Sequence, residues 1–112
     1  MKTFPLMNSP SAILEITTAC YNKVDSEENP FKYKSPTLTL ITILEKYGFE
    51  TFYQFTEFLE TKYNKGLALD DIFVDQAYSQ GGKARVVRPE KREILLSYYK
   101  SIMRDIKLSQ VL

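Results

Sequence analysis

The side chains that ordinarily carry out chemistry are sparse in this chain. It has no His, no Trp and one Cys. That excludes the commonest general base, the commonest zinc ligand and every Ser-His or Cys-His nucleophile pair. Cys20 can form neither an intrachain disulfide nor a CxxC site. With no Lys, Arg or His immediately beside it, it reads as a small hydrophobe on a helix. Asp70, Asp71 and Asp75 form an acidic group that invites a metal or an acid-base pair. No calcium-loop pattern of alternating acids closing on a Glu surrounds them. Asp70 reads as a helix N-cap, with Asp71 and Asp75 near the positive end of that helix. Gly81-Gly82-Lys83 lacks the first Gly of a phosphate-binding loop, and Ala84 stands where Ser or Thr is needed. No catalytic, cofactor or metal-ligating residue is therefore expected, and the chain reads as non-enzymatic.

What remains is charge. Fifteen Lys and Arg against fourteen Asp and Glu give a formal net charge of +1. Residues 1–82 carry seven Lys and eleven acids, whereas residues 83–112 carry eight cations and three acids. All four arginines lie in that last part. The polarisation predicts a basic surface able to steer an acidic partner. Lys83, Arg85 and Arg88 sit on the connection 81–88; Arg92, Lys100 and Arg104, followed by Lys107, sit on the segment after it. Tyr53 and the stretch Phe31-Lys-Tyr-Lys34 add aromatic anchors. A plainer reading pairs the arginines with acids of the same fold, with Glu57, Glu60, Asp71 and Asp75 as candidates.

The expectation is a small interaction or regulatory module, or an accessory subunit, docking on a larger protein with an acidic patch. Nucleic-acid binding through the same Lys/Arg surface is the alternative. Against it stand a pI of about 7.7 and the lack of a reading motif. Self-association is also open, because a bundle of short aromatic-rich helices often leaves an apolar strip.

These residues need elements to hold them. Pro10, Pro36 and Pro89 open periodic segments, two of them after a Ser that can cap. Gly48, Gly66 and Gly81 follow three segments, where left-handed caps are wanted. Helices are predicted over about 10–24, 36–47, 52–65, 71–80 and 89–107. The stretch 37–44 could be a strand by propensity. Inward faces are Ile13, Ile16, Cys20 and Val24; Phe52, Phe55, Leu59 and Tyr63; Ile72, Phe73 and Ala77; and Leu95, Tyr98, Tyr99, Ile102 and Ile106. The fold class is all-α, a compact bundle of four to five short helices in a single domain over 1–112.

At this length a chain buries roughly two-thirds of its unfolded surface, enough to fold without disulfides or metal. Pro5, Asn8, Ser9, Pro10 and Glu15 interrupt the apolar run a signal peptide needs. No window reaches the roughly 18 apolar residues of a membrane span. A cytoplasmic protein with no membrane partner is the expectation, and an unpaired Cys suits a reducing compartment.

Overall fold

The computed structural model describes residues 9–77 and 79–111. In chain order these form α1 (Pro10–Asp25), α2 (Pro36–Lys46), α3 (Phe52–Tyr63), α4 (Leu69–Ile72), β1 (Phe73–Ala77), β2 (Lys83–Val87), a 3-10 turn (Pro89–Lys91) and α5 (Arg92–Val111). The fold is mostly α, with one two-stranded sheet. Residues 1–8, including the Pro5 and Asn8 of the signal-peptide argument, lie outside the described residues.

Local chemistry explains most of the borders. Pro10, Pro36 and Pro89 all occupy first positions, where a missing N–H costs nothing. The serines before two of them do not cap through their side chains. Ser35 holds a left-handed backbone (φ 48°), unlike the extended N-cap that lets a hydroxyl reach back. The N-terminus of α3 is capped by a side chain. Gln54 N–H donates to Thr51 Oγ1 at 3.1 Å, and Gln54 Oε1 accepts from Glu50 N–H at 2.8 Å. α2 closes on Gly48 (φ 83°), with Phe49 N–H donating to Leu44 O at 2.9 Å and Gly48 N–H to Glu45 O at 3.2 Å. α3 stops at Tyr63 rather than 65, because Asn64 takes the left-handed cap (φ 48°) expected of Gly66. The stretch 37–44 is helical. Burial of Leu40 and Leu44 overrides its strand propensity.

The helix expected over 71–80 is the main correction. Only Leu69–Ile72 is helical, and its N-cap is Ala68, not Asp70. Phe73–Ala77 is instead a strand paired antiparallel with Lys83–Val87, with Phe73 opposite Val87 and Asp75 opposite Arg85. Ala77, expected inward, is exposed; Tyr78 lies outside the described residues. Val74, Val86 and Val87 favour extended backbone, and Gly81 (φ 85°) lets the chain reverse. A ten-residue helix would also have left the backbone of 83–87 without the ladder it now has.

The core forms mainly where α1 packs on α5. Ile13, Ile16, Cys20 and Val24 share one buried cluster with Leu95, Tyr98, Tyr99, Ile102 and Ile106, as their spacing predicts. Phe55 and Leu59 of α3 are fully buried, with Phe52 and Tyr63 packed at the edge. Tyr99 is the largest fully buried side chain. Its hydroxyl pairs with Thr56 Oγ1, which donates in turn to Phe52 O at 2.8 Å.

The acidic connector after α1 is tied down at Asp25. Its carboxylate accepts from the Tyr33 hydroxyl and from Asn29 Nδ2 at 3.1 Å, with Lys32 Nζ 3.5 Å away. The Tyr33 hydrogen bond, helped by Asn29 and Lys32 and opposed by burial, holds this carboxyl below its ordinary range. A depressed carboxyl stabilises the fold above its unfolded pKa, and that contribution fades as pH falls through the folded pKa. Asp25→Asn should therefore lower stability at pH 7 by about 1–2 kcal/mol, as for a lost charged hydrogen bond. Urea midpoints should show the gap closing as pH falls from about 5 towards 2.

Candidate docking surface

The expected basic surface divides into two parts with different electrostatic fates. Around the hairpin, acids of the same chain occupy the cations. Register places Arg85 across from Asp75. Its Nε lies 3.1 Å from Asp75 Oδ1 and its Nη1 3.3 Å from Asp70 Oδ1. The same guanidinium sits over the Tyr53 ring at 4.5 Å, and Tyr53 stands edge-on to Phe73 at 5.0 Å. Tyr53, read as an anchor, is thus half-buried packing for the hairpin. Arg92, 15% exposed, forks between Glu27 Oε2 at 2.9 Å and Glu28 Oε1 at 2.8 Å, and both raise its pKa. Lys91 lies 2.8 Å from Asp71 and holds that carboxyl below its usual range.

The acids that do this are mostly not the ones expected. Of Glu57, Glu60, Asp71 and Asp75, only Asp75 meets an arginine. Glu60 Oε1 instead accepts from Gly66 and Leu67 N–H at 2.7 and 3.1 Å. Glu27 and Glu28 come from the far end of the chain, beyond what local spacing shows. Arg88 donates its backbone N–H to Ile72 O at 2.8 Å, extending the ladder, while its buried Nε has no partner among the described residues. Lys83 is exposed beside the hairpin loop and makes no ion pair among the described residues. In the Phe31–Lys34 stretch, Tyr33 and Lys32 are committed to Asp25, whereas Phe31 is 99% exposed.

The second part lies on α5. Lys100, Arg104 and Lys107 follow at spacings of four and three, one helical stripe about 10.5 Å long. All three are exposed, and none has an ion pair among the described residues. The stripe runs along a shallow groove of about 500 Å³ at the α1–α5 seam, lined also by Tyr21, Met103 and Leu108. Thr18 Oγ1 donates to Leu14 O at 2.7 Å and lies 3.3 Å from Met103 Sδ, which sets the floor against α1. Leu108 is 58% exposed. The site is thus an apolar trough with three cations around it, suited to a ligand that is both acidic and apolar. Tyr21, Met103 and Leu108 were not among the expected site residues. Their only sequence signal is that Met103 and Leu108 interleave with the cations on the solvent side of α5.

Cys20 is fully buried, and burial pushes its thiol pKa up. Among the described residues no three His, Cys, Asp or Glu side chains are placed to hold a metal ion, and no helix is long and apolar enough to cross a membrane. No family model matches this sequence, and neither a curated protein nor a solved structure does.

The two halves differ in what they do for the fold. Arg92→Ala should lower stability by about 1 kcal/mol, because it releases a two-pronged charged contact made by a largely covered guanidinium to exposed carboxylates. Arg104→Ala should change it by less than about 0.5 kcal/mol. Chemical denaturation of both variants at neutral pH checks the contrast.

Proposed function

We propose that this chain is a small, non-enzymatic interaction or regulatory module, a cytoplasmic accessory subunit that docks on an acidic patch of a larger protein. The carrying observation is the unpaired stripe Lys100, Arg104 and Lys107 around the apolar groove of Tyr21, Met103 and Leu108. It narrows the basic surface to α5, since Arg85, Lys91 and Arg92 already hold acids of their own chain. Free cations steer encounter, and an apolar floor supplies the burial that retains a partner. The lack of His and the inert Cys20 favour a role without chemistry of its own. A phosphodiester backbone would satisfy the three charges but leave the apolar floor uncovered, so a protein partner is preferred over nucleic acid.

Reversal of the stripe, Lys100→Glu with Arg104→Glu and Lys107→Glu, should abolish partner capture from native-host extract. Lys83→Glu, a charge reversal away from the groove, should leave capture intact. Unchanged capture by the triple variant would remove this surface. Titration with duplex and single-stranded DNA and RNA at two salt concentrations tests the alternative. Affinity that falls steeply with salt and disappears in the triple variant would transfer the stripe to nucleic acid.

A further inference from the structure

The α5 groove is selective about the shape of what it can hold. Lys100, Arg104 and Lys107 line it together with Met103, Leu108 and Tyr21. At 3.6 residues per turn the three cations fall on one line, and Met103 and Leu108 stand about 70° to either side of it. The line is about 10.5 Å long. α1 lies on the Met103 side, where Thr18 Oγ1 is 3.3 Å from Met103 Sδ, and it adds Tyr21 to that wall. The three cations have no ion pair among the described residues. A matching occupant must therefore present three acids in a row, with hydrocarbon on both flanks, over about two helical turns.

An extended segment does not meet this demand. It rises about 3.3 Å per residue and turns alternate side chains away, so only about two of them face the groove over that length. Its backbone N–H and C=O groups would also need partners. Met103 and Leu108 give them nothing stronger than a thioether sulfur, and the Thr18 hydroxyl already donates to Leu14 O at 2.7 Å. A small anionic amphiphile would reach one or two of the cations and stay largely uncovered in so shallow a trough. A helix arrives with its own backbone paired, and its side chains at i, i+4 and i+7 repeat the spacing of Lys100, Arg104 and Lys107. Run the other way, the matching spacing is i, i+3 and i+7. On the docking role proposed above, we infer that the partner element seated in this groove is an amphipathic α-helix. Its acids occupy those positions and meet the three cations. Apolar residues on one flank of the acids cover Met103 and Tyr21, and those on the other cover Leu108. The partner helix thus lies along the α1–α5 seam as a third helix.

Two synthetic peptides of roughly 18 residues, long enough to hold a helix, test this. One carries Glu at i, i+4 and i+7 and the other at i, i+3 and i+7, each row flanked by Leu, with Ala and Gln elsewhere. The full chain should bind at least one of them, and circular dichroism should show that peptide gaining helix as it binds. Peptides of the same composition with Glu and Leu scattered, or with a central Pro that breaks the helix, should bind about tenfold more weakly or worse. On the protein side, Leu108→Ser removes apolar cover without touching charge and should weaken binding about fivefold. Lys100→Glu with Arg104→Glu and Lys107→Glu should abolish it. All four side chains are exposed, so these variants should keep the wild-type melting transition. Failure of both striped peptides to bind would overturn the inference. Equal binding of the scattered peptide, binding without gain of helix, or binding indifferent to Leu108→Ser would do the same. Tighter binding to phosphatidylserine vesicles than to either peptide, lost in the same variants, would give the groove to a lipid surface instead. Loss of extract capture by the triple variant with no peptide binding removes the helical occupant and leaves the docking surface standing; unchanged capture removes both.

Discussion

The constraint on which this fold turns is a phenol hydroxyl sealed in its centre. Tyr99 is fully buried, and an unpaired hydroxyl there would cost about 1–3 kcal/mol. Thr56 of α3 answers it, and Thr56 in turn bonds the Phe52 carbonyl. Cys20 of α1 lies against the same phenol. One side chain of α5 thus fixes the approach of both α1 and α3. Burial drives the ionisation of Tyr99 far upward, so the group stays a neutral donor throughout the working range. Further consequences follow from the placement of α3. Its outer aromatics, Phe52 and Tyr53, meet Phe73 at 5.6 and 5.0 Å, and this anchors the base of the hairpin. The hairpin register then lays Arg85 on Tyr53.

A second layer of order is electrostatic. The chain divides into an acidic first part and a basic last part, and the fold lays one upon the other. Arg92 reaches back to Glu27 and Glu28, Lys91 to Asp71, and Arg85 to Asp70 and Asp75. Exposed pairs of this kind contribute little singly. The Arg92 fork differs, because its guanidinium is largely covered and its geometry is two-pronged. It clips the connector after α1 to the start of α5, at the seam where the two longest helices pack.

How much was legible in the sequence depended on how local the cause was. The inward faces of α1 and α5 follow a 3.6-residue repeat, and each named residue is buried. The Thr51–Gln54 cap and the Gly48 termination are set within a few residues and were readable for that reason. The hairpin was not, because Ile72, Phe73 and Ala77 imitate a helical face, and its cause is a cross-strand pairing six to fourteen residues away. The valines at 74, 86 and 87 around Gly81-Gly82 were the available sign. In the candidate site the cations of α5 were readable as a stripe. Which arginines would be neutralised was not, since Glu27 and Glu28 reach Arg92 only through the tertiary fold. The groove was hidden too, because Tyr21 comes from the other helix of the seam.

The positive stripe survives folding for a definite reason. Asp105 lies between Arg104 and Lys107 in sequence and would be the natural counterion for either. It is instead held by Lys65, whose Nζ lies 2.6 Å from Asp105 Oδ2. Tyr63 feels the same carboxylate as a weak upward push on its pKa, after burial. The end of α3 thus draws the nearest acid to the opposite side of α5 from the groove. Glu93, the other acid within α5, stands nearly two turns before Lys100, close to the limit of screening at physiological salt. Three cations are thereby left beside an apolar trough with no ion pair among the described residues.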